Sequence, residues 1–260
     1  MQACPKEKSD EWSRVRLEGE GLRREHASNQ VDVWMVRLNA PEGRLPGMMQ
    51  WLDADEQMRA GRFRHARVAS EFIQSHAGLR LLLAQRVGTE PADIRFGRDG
   101  NVKPFFQNEA LMSFNLSHTR GHAAVAVAVR RQVGIDVEKM RLLEDLAELM
   151  VRVGSKRETE ELQQLPSGDR QGAFFHLWTR KEALLKALGS GLRTELRQID
   201  VGLEGECVIR IGGEAAQAGE WRVSTIPAEP GYAAAVAYSG EPCSVTVHPA
   251  LDVLSLVCAE

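Results

Sequence analysis

Two long helical segments constrain this chain more than any other feature. Apolar residues recur at helical spacing over residues 68–87 and again over residues 169–188, where Gly189 follows as a typical helix end. A β-rich run precedes each segment and short β-rich runs follow it, so the order strand, long helix, strands occurs twice. This order predicts an α+β fold of two similar α/β halves, although no sequence repeat is visible.

The two halves and their flanking segments have definite expected bounds. We expect a first half over residues 31–135 and a second half over residues 136–240. Residues 1–30 are polar and predict a loosely ordered lead-in. Residues 241–260 are expected to form a C-terminal tail that packs on the second half through residues 245–257. Short strands are predicted at residues 31–38, 94–96, 113–116, 122–129, 132–138, 199–203, 207–211, 221–226 and 232–238.

Charge and cysteine usage disfavour several classes of protein. The formal net charge of −3 gives no global attraction to nucleic acid or to an anionic membrane. No run approaches the roughly 20 apolar residues of a membrane span, and residues 1–30 lack the apolar stretch of a signal peptide. The four cysteines are scattered without a C-x-x-C pair, which favours a reducing cytoplasm over a disulfide framework or a zinc cage.

The segment GIDVE, residues 134–138, carries the first candidate site. Asp136 and Glu138 are two residues apart in a β-rich run, so they project from the same face of a strand. Two neighbouring carboxylates repel each other unless a cation lies between them, and hard oxygen ligands favour magnesium or manganese over zinc. The alternative is an exposed strand face that carries two solvated acids.

A second candidate lies in the helical segment 169–188. Phe175, Trp178, Glu182 and Leu185 fall at i, i+3, i+7 and i+10, which puts a carboxylate inside an apolar stripe. Lys186 lies one turn beyond Glu182. The two side chains either form a simple i,i+4 pair, or Glu182 is a third ligand of the same metal and Lys186 points at a phosphate oxygen.

The segment FNLSH, residues 114–118, is a third candidate. A hydroxyl, backbone amides and an imidazole at a strand end can hold a diphosphate, although a surface histidine in a turn is the commoner explanation. His118 and His122 match an H-x-x-x-H spacing, but the β context places them off a helix, and we do not expect a zinc site there.

Basic residues provide a fourth candidate, either a solvated face or a local anion site. The lysine of the Lys103-Pro104 pair follows the turn at residues 97–100 and would be held on a rigid connection. The other basic residues of this group are Arg59, Arg62, Arg64, His65, Arg67 and Arg98.

These motifs, in this order, resemble those of the surfactin-synthetase-type phosphopantetheinyl transferases. The resemblance rests on residues 114–118, 134–138 and 175–186 (FHLWTRKEALLK) and covers about residues 31–240. It implies two similar α+β halves in one monomer, with coenzyme A bound mainly by the first half and the active site at their interface. It further implies transfer of 4′-phosphopantetheine from coenzyme A to a serine of an acyl- or peptidyl-carrier protein, with release of adenosine 3′,5′-bisphosphate.

The resemblance also implies roles for individual residues. Asp136, Glu138 and Glu182 would hold Mg²⁺, with Mn²⁺ as a possible substitute, and Glu182 would be the general base. Lys186, Ser117 and His118 would contact phosphate oxygens. The remaining coenzyme A contacts would come from Arg59, Arg62, Arg98, Lys103, Pro104 and Asn115. Family members often have glycine before the Lys-Pro pair and basic residues near 68–72, whereas this chain has Val102 and the run VASEF.

Two other functions compete with this interpretation. A magnesium-dependent phosphohydrolase or nuclease could use the same acids and lysine to activate water, although the net charge disfavours the nuclease. A carrier-binding module with a degenerate site is the non-enzymatic alternative, and the complete set of three acids argues against it.

Overall fold

The computed structural model describes residues 29–97, 103–107, 109, 111–189, 195–205, 210–211, 214–215 and 221–257. These residues form a mixture of helices and strands, which confirms the α+β class. The helices are α1 (Leu45–Met49), α2 (Ala54–Arg62), α3 (Ala66–Val87), α4 (Leu146–Val153), α5 (Lys156–Gln164), α6 (Ser167–Leu188) and α7 (Val253–Val257). The strands are β1 (Gln30–Arg37), β2 (Phe96–Gly97), β3 (Phe105–Phe106), β4 (Met112–Thr119), β5 (His122–Val129), β6 (Val133–Lys139), β7 (Ile199–Asp200), β8 (Arg210–Ile211), β9 (Glu214–Ala215), β10 (Trp221–Thr225), β11 (Tyr232–Ser239) and β12 (Ser244–Asp252).

The first main sheet has the strand order β12-β1-β5-β4. β1 pairs antiparallel with β5 and parallel with β12. β12 therefore completes the sheet of the first half, whereas Val245, Val247 and Ala250 pack against a core that includes side chains of the second sheet. The expectation that residues 245–257 pack on the second half is thus confirmed only in part. The long helix α3 covers one face of this sheet, where Phe72 and Leu83 join a core that includes Val36 and Val127.

The second main sheet is antiparallel, with the order β10-β11-β6. Helix α6 packs against β6 and β11, and Leu177 and Leu184 join a core with Ala235 and Val223. β6 is one continuous strand, so the expected boundary between residues 135 and 136 falls inside it. The chain turns instead at residues 130–132, where Arg130 has a left-handed φ of 58°.

The two main sheets share a third apolar core. It includes Val33 and Ala126 from the first sheet, and Ile135 and Val236 from the second. β5 and β11 lie at the centre of this arrangement, and six consecutive residues of each are buried. Strands covered on both faces read as continuous apolar runs, which explains the alanine- and valine-rich sequences HAAVAVAV and YAAAVAYS.

Polar side chains join the sheets where the edge strands β4 and β6 meet. Alternate residues of β4 point at β6, and their oxygen atoms accept hydrogen bonds from its backbone. Asn115 Oδ1, Ser117 Oγ and Thr119 Oγ1 accept the N–H groups of Ile135, Val137 and Lys139 at 2.8, 3.4 and 3.5 Å, respectively. We call these three side chains the seam. The seam satisfies backbone donors that β11, on the other side of β6, does not reach.

A fully buried cation occupies the same position in each long helix. Arg80 is the fifteenth residue of the 22-residue helix α3, and Lys181 is the fifteenth residue of the 22-residue helix α6. Arg80 pairs with Glu56 at 2.7 Å, and Lys181 pairs with Glu158 at 2.7 Å. Both glutamates close the capping box of a nine-residue helix, α2 or α5. Each cation also donates to backbone carbonyls of the segment after its long helix.

Glycine ends both long helices, as predicted for α6. Gly88 follows α3 with a φ of 73°, and Gly189 follows α6 with a φ of 67°, a backbone conformation that glycine adopts without steric cost. In the part of the chain that the structure describes, no helix combines the length and the apolar character needed to cross a membrane.

Candidate active site

Three polar side chains meet where β4, β6 and α6 come together. Lys186 Nζ of α6 donates to Asp136 Oδ1 of β6 at 2.6 Å and to Ser117 Oγ of β4 at 2.8 Å. Ser117 in turn donates to Asp136 Oδ1 at 2.9 Å. The structure thus brings together three residues of the predicted site, each from a different motif. Lys186 of α6 forms its salt bridge with Asp136 of the neighbouring strand β6. The i,i+4 salt bridge between Lys186 and Glu182, which was the simpler alternative, is not observed.

Two further carboxylates border this triangle. Burial first, and then the negative charge of Asp136, raise the pKa of Glu138, whereas Lys186 opposes the shift. The same causes in the same order raise the pKa of Glu182. Thr119 Oγ1 also donates to Glu138 Oε2, at a long 3.4 Å. The charge of Asp136 therefore disfavours the ionised forms of both glutamates, and a cation among the three acids would reverse this effect.

Asp136 provides a direct test of whether these residues fit a cation. Its Oδ1 accepts two hydrogen bonds, but its Oδ2 is buried and has no hydrogen-bond partner among the described residues. A buried, unsatisfied carboxylate oxygen is costly unless a ligand reaches it. Within the described ranges, however, no three His, Cys, Asp or Glu side chains are grouped closely enough to form a metal site. Carboxylate oxygens are nevertheless the ligand type that Mg²⁺ or Mn²⁺ prefers, so the chemistry of these residues fits such an ion. In this structure the ammonium of Lys186 offsets the charge of Asp136.

A histidine pair lies beside the triangle. Burial, and to a smaller extent Lys186 and Arg59, lower the pKa of His118, while Glu71 opposes them. The ring of His76 lies edge-on to His118 with a centroid distance of 6.5 Å. It stacks on Phe72 at 3.8 Å, and burial lowers its pKa to about 3. His76 was not among the predicted site residues, because a histidine inside an amphipathic helix has no local signal that separates it from the core.

The other predicted coenzyme A contacts have diverse positions. The guanidinium of Arg59 lies 5.0 Å from the ring centroid of Phe72, next to the histidine pair. Arg62 is exposed and contacts Met58 Sδ at 3.1 Å. Pro104 is half-buried, and Arg98 lies outside the described residues.

Lys103 is directed at the protein itself. Its Nζ donates to the carbonyl oxygen of Val133 at 2.7 Å and to Gln132 Oε1 at 3.2 Å, and burial lowers its pKa to about 8. His122 hydrogen-bonds Glu229 at 3.0 Å, and Glu229 also forms a salt bridge with Arg37.

Comparisons with known proteins assign these features to a family. A family model described as the 4′-phosphopantetheinyl transferase superfamily matches residues 132–237. The protein named 4′-phosphopantetheinyl transferase HetI, from Nostoc sp., is 37% identical over 179 residues, which cover 68% of this chain and 75% of HetI. The chain belongs to the 4′-phosphopantetheinyl transferase superfamily. 4′-Phosphopantetheinyl transferase Sfp of Bacillus subtilis is 26% identical over 190 residues, which cover 72% of this chain and 82% of Sfp.

Membership of the phosphopantetheinyl transferases confirms the family identified from the motifs. The segment matched by the superfamily model includes Asp136, Glu138, Glu182 and Lys186, whereas Ser117 precedes it. A solved apo-ACPS structure from Chronobacterium ammoiniagenes covers 43% of this chain and 97% of its own, with a TM-score of 0.33 and 19% identity.

Proposed function

We propose that this phosphopantetheinyl transferase moves 4′-phosphopantetheine from coenzyme A to a serine of an acyl- or peptidyl-carrier protein. The serine hydroxyl attacks the β-phosphorus of coenzyme A and loses its proton. The bond from that phosphorus to the bridging oxygen breaks, and adenosine 3′,5′-bisphosphate leaves. The observation that carries the proposal is the meeting of Asp136, Ser117 and Lys186 beside two further acids, in a chain that belongs to this family.

Asp136, Glu138 and Glu182 would hold Mg²⁺, and Mn²⁺ could replace it. The buried Oδ2 of Asp136, which has no hydrogen-bond partner among the described residues, and the effect of the Asp136 charge on both glutamates support this assignment. When bound, the ion would neutralise charge on the diphosphate. Glu182 is the proposed general base, because it is the carboxylate of α6 that lies beside Asp136 and Lys186.

Cationic and polar side chains would position the coenzyme A phosphates. Lys186 and Ser117 already hydrogen-bond each other, so a phosphate oxygen could replace Asp136 as the acceptor of the Lys186 ammonium. His118, which lies near Arg59 and Lys186, would donate a hydrogen bond to a phosphate oxygen of coenzyme A. Arg59, Arg62, Arg98, Lys103, Pro104 and Asn115 remain proposed contacts to the nucleotide portion of coenzyme A.

The fold-level proposal is that the two halves are structural repeats with the active site between them. The matched positions of Arg80 and Lys181, and the capping-box glutamates that pair with them, support this duplication. We further propose that the protein acts as a cytoplasmic monomer that contacts its carrier protein transiently, without nucleic acid or membrane.

Intact-mass measurement tests the proposed reaction. A purified apo-acyl-carrier protein would be incubated with this protein and coenzyme A, with and without magnesium. A magnesium-dependent gain of one phosphopantetheine is the expected result. Hydrolysed coenzyme A with an unmodified carrier protein would favour the phosphohydrolase, and carrier binding without modification would favour the degenerate module.

A further inference from the structure

One face of β6 carries Gly134, Asp136 and Glu138, since side chains on a strand alternate between faces. Gly134 has no side chain, and at this residue the backbone of β6 lies directly against the backbone of α6. A Cβ atom added to Gly134 would lie 2.1 Å from Ala183 O, 2.4 Å from Ala187 N and 2.9 Å from Ala187 Cα. All three are backbone atoms of a helix, so none can rotate away. The strand and the helix approach each other as closely as a glycine permits.

The contacted residues of α6 directly follow the two residues that face the site. Ala183 follows Glu182, and Ala187 follows Lys186. The closeness of the two backbones at Gly134 therefore sets how far Glu182 and Lys186 lie from Asp136, two residues further along β6. The 2.6 Å distance from Lys186 Nζ to Asp136 Oδ1 depends on this approach.

Steric contact with α6 is what excludes a side chain at position 134. Gly134 lies in the strand β6 and is not one of the glycines with a left-handed φ, so alanine could adopt its backbone conformation. Relieving the overlap with Ala183 O requires the helix and the strand to separate by on the order of 1 Å, the gap between a 2.1 Å approach and an ordinary contact.

We infer that Gly134 is a positioning residue, whose missing side chain holds α6 against β6 so that the acids and Lys186 converge. For its effect on catalysis this inference rests on the proposed function. Separation of the two backbones would misplace Glu182 and Lys186 relative to Asp136 without removing any of these groups. Misplacement by about 1 Å can reduce turnover about 100-fold.

The test compares Gly134→Ala with Gly172→Ala. Gly172 lies in the same helix α6, and no heavy atom lies within 4 Å of a Cβ added there. We expect Gly134→Ala to retain a cooperative melting transition, to lose turnover about 100-fold, and to bind Mn²⁺ in the presence of coenzyme A at least about 10-fold more weakly by electron paramagnetic resonance. Gly172→Ala should match the wild type in turnover and in Mn²⁺ binding.

A double-mutant cycle distinguishes positioning from general packing. Lys186→Met should lower the melting temperature of the wild type clearly, but add little in the Gly134→Ala background, where the Lys186–Asp136 pair is already separated. Equal effects of Lys186→Met in the two backgrounds would overturn the inference. So would a Gly134→Ala protein that turns over and binds Mn²⁺ like Gly172→Ala, or one that lacks a cooperative melting transition. If the wild type modifies no carrier protein, the proposed function fails, but the Mn²⁺ and melting measurements still test Gly134.

Discussion

Lys186 Nζ lies 2.6 Å from Asp136 Oδ1, and the side chain of Asp136 is only 5% exposed. Replacement of Lys186 by methionine would leave this buried carboxylate without a cation. We expect a loss of about 2 kcal/mol in the free energy of unfolding, less than for a fully buried pair because Lys186 is 30% exposed. Transfer activity should fall at least about 100-fold, since charge on the phosphates would also lose its cation.

Urea denaturation and intact-mass assays would check this prediction, with Lys156→Met as a control at an exposed position of α5. Added Mg²⁺ should recover more stability in Lys186→Met than in the wild type, because the ion would take over the neutralisation of Asp136. Equal stabilisation of both proteins by Mg²⁺ would contradict this shared role.

The raised pKa of Glu182 predicts a particular pH dependence of metal-free stability. A carboxyl group whose pKa is higher in the folded state favours folding at low pH, and this contribution is lost as the pH rises from the ordinary value of 4.5 through the folded value. Ionisation of Glu182 should therefore lower the stability of the metal-free protein over this window. Glu182→Gln should lose less, so it should melt above the wild type near pH 7 but not near pH 4.

Thermal melting across this pH range, with a chelator present, is the measurement. Excess Mg²⁺ should remove the advantage of Glu182→Gln near pH 7, because the wild-type carboxylate would then have a cation to bind. If Glu182→Gln exceeds the melting temperature of the wild type no more near pH 7 than near pH 4 in the presence of chelator, the raised pKa of Glu182 is contradicted.

The seam predicts a graded effect along β4. Asn115 Oδ1 accepts the N–H of Ile135 at 2.8 Å, whereas Thr119 Oγ1 accepts that of Lys139 at 3.5 Å. Asn115→Ala should therefore destabilise the protein by about 1–3 kcal/mol, the cost of a buried donor left without a partner. Thr119→Ala should cost less than about 0.5 kcal/mol. Urea denaturation of the two variants would compare them, and equal losses would argue against the seam as a stabilising contact.

The paired strands β1 and β12 lead to a prediction for the C-terminus. Val31 is opposite Val245 in this parallel pair, so removal of residues 241–260 would expose the edge of β1 and part of the core that the two main sheets share. We expect a loss of more than about 4 kcal/mol, larger than most single substitutions cause. In the protein that lacks residues 241–260, the rate of amide hydrogen exchange should increase more in β1 than in β10 and β11. A uniform increase in all strands would contradict the assignment of this segment to the first half.

Local sequence patterns predicted the elements well, and they predicted less about how the elements meet. The helical periodicity and Gly189 placed α6 within two residues of its observed start and at its observed end. The alternation in GIDVE correctly placed Asp136 and Glu138 on one strand face. The pairing of β12 with β1 joins residues more than 200 positions apart, and nothing in either strand specifies its partner. The salt bridge between Lys186 and Asp136 is likewise tertiary, since local spacing offered Glu182 as the nearer partner.

The buried pair of Lys181 and Glu158 provides the last prediction. Both side chains are at most 1% exposed, and Lys181 Nζ also donates to the carbonyl oxygens of Val153, Leu196 and Ile199. Lys181→Met should cost about 3–5 kcal/mol, because it leaves Glu158 charged and buried without its cation. The double variant Lys181→Met with Glu158→Leu should lose less free energy of unfolding than the two single variants lose together, since it removes both charges. Urea denaturation of the four proteins gives this coupling. Strictly additive losses would show that the pair does not act as a unit, and would weaken the correspondence with Arg80 and Glu56 that supports the duplicated halves.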